Sequence, residues 1–404
     1  MAEPKVRFKK DGGSSYPAWE QGRFGDLIEV YDEKVTSDCT LPVLTSSKTD
    51  GIQYQSDHFG REQLHDITGY NVIPRGYCTY RNRSDGTDFT FNINNLCDRG
   101  IVSKFYPVFH TTARCNLYFL MTLMNNESKT VRKIAMTAKG TGQKVLSFLD
   151  LQKIEINIPS LEEQQKIADF LSSVDEVITA SEQEVANLET QKKAVMKKVF
   201  SQEVRFKRTD GTDFSEWGKQ TLGNLAEFSK GQGYTKSDLS ETGSPIILYG
   251  RLYTKYQTVI SEVDTFAEMK PRSVLSKKGD VIVPASGETA EDISVAAVVD
   301  VDGIILGGDL NIIHPCNAIL PDYLAYALTF GTPHQEMAKR AQGKSIVHLR
   351  NDDLKSAVIV YPCIEEQRLI ADFLSDFDDA IAAAKKELEL WKELKKGLLQ
   401  QLFM

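Results

Sequence analysis

The sequence predicts an α+β (mixed α/β) protein in which two domains are separated by two long antiparallel helices forming a coiled coil, with a pseudo-two-fold internal repeat. Three observations lead to this fold class. A segment of eleven residues occurs twice, each copy is followed by a heptad pattern, and the remaining sequence alternates short apolar runs with turn residues. A chain of 404 residues has the length expected for two domains of ordinary size.

The repeated segment reads LEEQQKIADFL at 161–171 and IEEQRLIADFL at 364–374, with eight of eleven residues identical. A second pair reads VRFKKDGGSSYPAW at 6–19 and VRFKRTDGTDFSEW at 204–217. The first pair is spaced by 203 residues and the second by 198. The ends of two sequence units therefore align, which predicts two copies of one architecture in a single chain.

The middles of the two units, 30–135 and 228–338, cannot be aligned by sequence. A repeated frame around divergent centres is typical of a binding protein with two different specificities. The predicted segments are a first domain at 1–159, a central helix at 160–203, a second domain at 204–362 and a C-terminal helix at 363–404.

Each repeated segment begins a long predicted helix. Pro159 or Pro362 stands just ahead, glutamates fall in the first turn, and lysines gather near the far end, which suits the helix dipole. Apolar spacing of 3.5 residues is typical of a coiled-coil seam, and packing of each helix on its own domain is the alternative. The stripe comprises Leu171, Val174, Ile178, Ser181, Val185, Leu188, Lys192, Val195 and Val199 in the first helix, and Leu374, Phe377, Ile381, Ala384, Leu388, Trp391, Lys395, Leu398 and Leu402 in the second.

Connectivity predicts the direction of the helices. The second domain starts directly after the first helix, at Val204, so a second helix that pairs with the first must run back antiparallel. A helix of about 40 residues would extend roughly 60 Å. That length is somewhat under two turns of DNA, at about 34–36 Å per turn, so both domains could meet one face of a duplex.

The divergent centres are predicted to be strands joined by loops, with helices near 113–126 and 321–340. The apolar runs that predict strands are NVIPRGYCTY, IVSKFYPVF, SPIILYG, GDVIVPAS, ISVAAVV, GIILGG and SAVIVYP. Each domain is therefore expected to mix helix and strand.

The charge distribution favours a nucleic-acid partner although the net charge is −8. Residues 75–144 contain eleven Lys and Arg residues against four Asp and Glu residues, and a local basic surface is what attracts phosphates. Basic and aromatic residues interleave in both centres, although they are also common on solvated strand faces. The candidate DNA-contacting residues, chosen by charge and position, are Arg75, Tyr80, Arg81, Arg83, Arg99, Lys104, Lys139 and Lys144 in the first half, and Arg251, Tyr253, Lys255, Lys277, Lys278, Lys344 and Arg350 in the second.

The sequence shows no catalytic or metal-binding motif. The six cysteines and six histidines lack zinc spacing, so no metal site is predicted. A phosphate-loop pattern at 343–345 fails because Ala338 stands where its first glycine belongs. No base can be identified for Ser286, and His348 is expected to be a variable surface or loop position. These features predict a non-catalytic, cytoplasmic binding protein with no secretory signal, membrane helix or cofactor of its own.

The pattern G-x₅-L-x₄-L … I-P-x-L-E-E-Q-x-x-I-A-x-F-L at 140–171, with a second copy followed by KKGLLQQLF at 395–403, resembles the specificity subunit of type I restriction–modification enzymes. The resemblance covers the whole chain. It implies two target-recognition domains, each reading one half of a bipartite sequence in double-stranded DNA, and spacer helices that set the gap between the halves.

The resemblance also implies partners. Two modification subunits would dock on the helices and bring S-adenosylmethionine, and restriction subunits would bring ATP-driven translocation and cleavage with Mg. The helix residues expected to bind these partners are Glu163, Gln164, Ile167, Phe170, Glu366, Gln367, Ile370 and Phe373.

Three other interpretations remain at this point. A two-headed coiled-coil scaffold that binds proteins would have no DNA specificity. A degenerate enzyme would require matching polar residues at equivalent positions of the two centres. An orphan specificity subunit that serves methylation alone would have the same sequence features as a restriction component.

Overall fold

The computed structural model describes residues 4–61, 66–289, 292–340 and 347–403. It divides into two compact units, Met1–Ala180 with Leu388–Met404, and Ser181–Glu387. The division passes through both long helices. Each unit therefore contains one mixed domain and a portion of each long helix.

The first unit contains the predicted mixture of short strands and helices. Its elements are β1 Glu20–Arg23, β2 Ile28–Val30, β3 Leu44–Ser46, β4 Ile52–Tyr54, α1 Gln55–Phe59, β5 Asn71–Pro74, β6 Cys78–Tyr80, β7 Arg83–Ser84, β8 Phe91–Ile93, β9 Arg99–Val102, β10 Val108–Thr111, α2 Leu117–Asn126, α3 Ser128–Thr137, β11 Lys144–Val145, α4 Phe148–Gln152, β12 Glu155–Ile158 and the start of α5 Leu161–Phe200. The main sheet is antiparallel, in the order β2-β10-β6-β8, and α2 packs on it through the buried Phe119 and Leu120.

The second unit has the same kinds of element. They are β13 Gly218–Thr221, β14 Ala226–Lys230, β15 Leu239–Ser240, β16 Ser244–Ile247, α6 Gly250–Thr254, β17 Val259–Ile260, β18 Phe266–Ala267, β19 Asp280–Pro284, β20 Ser286–Gly287, β21 Ala297–Val299, β22 Ile305–Leu306, β23 Leu310–Pro315, α7 Pro321–Phe330, α8 Thr332–Arg340, β24 Val347–His348, α9 Asn351–Lys355, β25 Val358–Tyr361 and the start of α10 Ile364–Phe403. Its main sheet has the order β14-β23-β19-β21-β17. Helix α7 packs on this sheet through the buried Tyr323 and Leu324.

The two main sheets share one topology even though their sequences do not align. Strands β2, β10, β6 and β8 correspond in order and direction to β14, β23, β19 and β21. The register agrees as well, because His110 lies opposite Glu29 and His314 lies opposite Glu227. The repeat therefore extends through the centres. Sequence comparison misses it because a strand retains its pairing partners and buried face without retaining residue identity.

The two long helices begin where the prolines predict, at Leu161 and Ile364, and each runs for 40 residues. All positions of the predicted stripe are buried or half-buried. In the first unit the end of α10 joins the core beside the start of α5, with the Phe403 ring 5.7 Å from that of Phe119. In the second unit Met196 and Val199 of α5 share a core with Leu374 of α10. The helices are thus antiparallel within each unit.

The first residues of the repeated helix segment are buried in an ion pair with the VRFK segment. Arg7 donates Nε and Nη2 to the carboxylate of Glu163, at 3.0 and 2.7 Å. Arg205 makes the same two bonds to Glu366, at 3.2 and 2.7 Å. Both glutamates are fully buried, and a two-pronged charged bond satisfies them there. The ion pair explains why the two motifs are repeated together.

The adjacent glutamines join each helix to its domain. In the first unit Gln164 accepts a hydrogen bond from the backbone N–H of Asn116 at 2.9 Å and donates to the carbonyl of Pro159 at 3.0 Å. In the second, Gln367 accepts from the N–H of Leu320 at 2.7 Å and donates to the carbonyl of Pro362 at 2.9 Å. Each amide therefore satisfies backbone groups that would otherwise be buried without partners.

These contacts correct the predicted partner-binding surface. Six of its residues are buried within their own unit: Glu163, Gln164, Ile167, Glu366, Gln367 and Ile370. Phe170 is 38% exposed and Phe373 is half-buried, and their rings pack against Phe8 and Phe206, with centroids 5.6 and 5.5 Å apart. The helix opening is thus a framework element, because polar residues that meet a charged partner can be buried.

A repeated polar cluster also lies in the helix stripe. In the second unit Asp378 forms an ion pair with Lys192 and accepts a hydrogen bond from the Tyr326 hydroxyl at 2.7 Å. In the first unit Asp175 is contacted in the same way by Lys395 and by the Tyr118 hydroxyl. Burial is the main cause that raises the pKa of both tyrosines, so each hydroxyl remains a donor. A lysine in an apolar seam needs such a partner, which fixes the register of the helices.

Candidate nucleic-acid interface

The structure separates the basic residues of the first unit into two groups. Arg75 and Arg99 lie before β6 and at the start of β9, where their guanidinium groups pair with Asp98 at 2.9 Å and with Glu33. Arg81 and Arg83 follow β6 at its other end. The first group is largely neutralised by these carboxylates, whereas no described carboxylate forms an ion pair with Arg81 or Arg83.

Arg81 and Arg83 line a cavity of about 360 Å³ together with Lys48 and His58. The guanidinium of Arg83 stacks over the exposed ring of Phe105, at 4.2 Å from its centroid. Lys104 is near the same ring, at 5.6 Å. The lining also includes Asp85 and Asp88, and Asp88 lies 3.6 Å from Lys48. Sequence reasoning missed Lys48 and His58 because they are far from the basic segment along the chain.

The remaining candidates of the first half differ in burial and in their hydrogen-bond partners. Lys144 is half-buried on β11, opposite Ser84. Lys139 is exposed but bound to Asp150 at 3.0 Å. Tyr80 is fully buried, and its hydroxyl donates to the carbonyl of Leu146 at 3.1 Å. Its assignment as a DNA contact is therefore corrected, since a side chain in the core has no face for a base or a phosphate.

In the second unit, Arg251 and Lys255 both pair with Asp264. The hydrogen bonds from Lys255 and then from Arg251 are the main cause that lowers the pKa of this carboxyl to about 2. At neutral pH one of the two positive charges is thus cancelled. Tyr253 packs near the Tyr249 ring, with centroids 6.5 Å apart.

The other second-half candidates are scattered. Lys277 and Lys278 precede β19, and Lys278 pairs with Asp300 at 2.9 Å. Arg350 is exposed just before α9. Lys344 lies outside the described residues. No cavity or side-chain contact among the described residues joins Lys277, Lys278 or Arg350 to Arg251.

The structure finds a partner for Ser286 that the sequence did not reveal. Its hydroxyl lies 3.0 Å from Nδ1 of His348, which faces it across the β20–β24 pair. Neither residue makes an ion pair with a carboxylate among the described residues, and the serine is only 6% exposed. Ser286 and His348 are 62 residues apart in the sequence, which is too far for a motif search to pair them.

The model of the type I restriction modification DNA specificity domain matches this chain twice, at 90–190 and 214–390. The chain belongs to this family. Each matched range runs from the main sheet of one unit into a long helix, so a specificity domain of the family combines a recognition centre with its helix. This chain is accordingly a type I specificity subunit, with the two domains that the internal repeat predicts.

Individual specificity subunits agree with the family match. The chain is 26% identical over 301 residues to the type I restriction enzyme MjaVIII specificity subunit of Methanocaldococcus jannaschii, which covers 71% of this chain and 69% of that protein. It superposes on the crystal structure of a type I restriction–modification S subunit from M. genitalium with a TM-score of 0.61, 15% identity and coverage of 100% and 99%. A type I complex-assembly structure gives a TM-score of 0.56, 18% identity and coverage of 96% and 98%. These structures support the fold of the specificity subunit.

The described part of the specificity subunit contains no group of three or more His, Cys, Asp and Glu side chains placed to hold a metal ion. Within the same residues, no helix combines the length and apolar character needed to span a bilayer.

Proposed function

We propose that this specificity subunit reads a bipartite sequence in double-stranded DNA, one half with each unit. One observation carries the proposal. The two units share sheet topology, register and buried ion pairs, yet differ in the exposed side chains that the shared frame presents. A frame that is kept while its exposed chemistry changes is suited to recognising two different half-sites. Arg81 and Arg83, which make no ion pair with any described residue, supply positive charge that phosphates and guanine edges attract.

The catalytic groups would belong to other subunits. We place S-adenosylmethionine on two modification subunits, and ATP and Mg on restriction subunits. The exposed acidic faces of the long helices favour contact with protein over contact with phosphate. Because the start of each helix is buried in its own domain, docking would use the exposed positions farther along, such as Val177, Leu390 and Leu394.

A methylation map tests the proposed function. The chain would be expressed with its cognate modification subunit in a host that lacks DNA methylation, and N6-methyladenine would be located by long-read sequencing. The expected result is one bipartite motif with a fixed gap. If the two subunits associate and methylate no motif, the chain is better described as a two-headed protein scaffold.

Exchange of one centre is expected to change one half-site alone. Replacing 30–135 by the corresponding segment of another specificity subunit leaves the VRFK segment, the helix opening and their ion pair in place. The new methylation motif should keep the second half-site and the gap. The reciprocal exchange of 228–338 is the matched control and should alter only the other half. A change in both halves would contradict independent reading.

Lengthening both helices is expected to widen the gap. Asp175 with Lys395, and Asp378 with Lys192, tie α5 to α10 in each unit, so an insertion in one helix alone would be unmatched in the other. Seven residues inserted after Ala180 and seven after Glu387 preserve the heptad and add about 10 Å. The methylated motif should gain about three unspecified base pairs, at roughly 3.4 Å each. An unchanged gap would show that the helices do not set it.

A further inference from the structure

Each unit carries a short two-stranded ribbon at the same place in its fold. Strand β7 pairs with β11 in the first unit, and β20 pairs with β24 in the second. The register is the same at a spacing of 203 residues, because Arg83 lies opposite Val145 and Ser286 lies opposite His348. The four strands therefore occupy equivalent positions.

The same backbone contact anchors both ribbons. The N–H of Leu146 donates to the carbonyl of Asn82 at 2.9 Å, and the N–H of Leu349 donates to the carbonyl of Ala285 at 3.0 Å. Both leucine side chains are fully buried. The anchors are thus conserved between the units while the ribbon residues differ in chemistry, since Arg83 corresponds to a serine in the second unit.

In the first unit the ribbon presents a preoriented guanidinium. Arg83 is exposed, is held over the Phe105 ring at 4.2 Å, and makes no ion pair with any residue that the structure describes. By contrast, Arg75, Arg99 and Arg251 each bind a carboxylate. A guanidinium that is fixed by stacking and retains its donors is suited to the O6 and N7 acceptors of guanine.

In the second unit the ribbon presents an imidazole. The Ser286 hydroxyl lies 3.0 Å from Nδ1 of His348, and the histidine is exposed. Nε2 has no partner among the described residues. The serine therefore fixes the ring and leaves the other nitrogen available to a base edge, as donor or acceptor according to the tautomer.

We infer that these ribbons are the base-reading elements of the two units. Arg83 is the specificity-determining residue for a guanine in the first half-site. His348, positioned by Ser286, has this role in the second half-site. The inference rests on the proposed function and deepens it, because it assigns one reading position in each half.

Methylation maps of complexes with the cognate modification subunit test this assignment. Arg83→Ala should lose about 5- to 150-fold discrimination at one guanine of one half-site, the range expected for a bidentate contact. Arg83→Lys keeps the charge without the fork and should also relax that position. His348→Ala should relax one position of the other half-site. Arg23→Ala is the matched control, since that exposed arginine pairs with Glu155 and is not a candidate DNA contact, and it should leave the motif unchanged.

Three outcomes overturn the assignment while leaving the proposed function intact. In one, Arg83→Ala keeps the wild-type motif and lowers methylation equally at all sites, which is the behaviour of a phosphate contact. In another, Arg83→Ala or His348→Ala alters both halves. In the third, the two variants alter the same half. Failure of the wild-type complex to methylate a bipartite motif would instead overturn the proposed function. Association with the modification subunit and an unchanged unfolding temperature establish that each variant is folded.

Discussion

Glu366→Ala is expected to lower the stability of the second unit by about 3 kcal/mol, because removal of one partner from a buried ion pair leaves the other charge uncompensated. Glu366 is fully buried and accepts hydrogen bonds from Arg205 and from Trp217 Nε1, the latter at 3.2 Å. The Arg205 side chain is 26% exposed, so water offsets part of the loss and the effect falls at the low end of the usual range of about 3–5 kcal/mol. Calorimetry of the full chain should show a lower midpoint for the transition of the second unit.

The neighbouring Glu365 is exposed and supplies the matched control. Glu365→Ala should change the unfolding profile little. The double variant Arg205→Ala with Glu366→Ala should be less destabilised than the sum of the two single variants, because the two residues contact each other. An unfolding profile of Glu366→Ala that equals the wild type would show that the ion pair is dispensable.

Asp378→Ala is expected to destabilise the helix junction of the second unit by about 3–5 kcal/mol. The change leaves the Lys192 ammonium, whose side chain is only 12% exposed, beside the Tyr326 and Phe330 rings without a counter-charge. The corresponding Asp175→Ala should cost less, because Asp175 and Lys395 are 34% and 30% exposed. Urea unfolding followed by a probe in each unit would measure this difference.

Hydrophobic replacement of the Asp378–Lys192 ion pair separates its contribution to stability from its contribution to the helix register. Asp378→Leu combined with Lys192→Met should recover most of the stability, since buried ion pairs are commonly no better than apolar residues of similar size. The variant should nevertheless allow α5 and α10 to pair in more than one register, because the polar contact that selects one register is gone. Equal losses for Asp175→Ala and Asp378→Ala would contradict the role assigned to burial.

The sequence was most informative where one periodicity decides the structure. Pro159, Pro362 and the heptad pattern located the ends of both long helices within three residues, and the apolar runs located the strands. Strand pairing could not be predicted, because paired strands such as β2 and β10, where Glu29 lies opposite His110, are distant in the sequence. The correspondence of the two centres therefore became visible only in three dimensions.

The candidate interface was predictable in composition but not in arrangement. Arg75 and Arg83 are close along the chain and alike in charge, yet β6 places them at opposite ends of a strand. Glu163 was expected to bind a partner because of the family resemblance, and its ion pair with Arg7 joins residues 156 positions apart. Ser286 and His348 were separated by 62 residues. Contacts between residues so far apart in the sequence cannot be inferred from charge or from the local sequence pattern.

The equivalent contacts that join each centre to its long helix have an evolutionary consequence. Gln164 and Gln367 make equivalent backbone bonds, and Glu163 and Glu366 accept hydrogen bonds from equivalent arginines, so each centre joins its helix through the same contacts. If each unit reads one half-site, as proposed, recombination between the two halves of the gene would give chains with new combinations of half-sites. A host could diversify the DNA sequences that it protects by shuffling existing parts, without evolving a new fold.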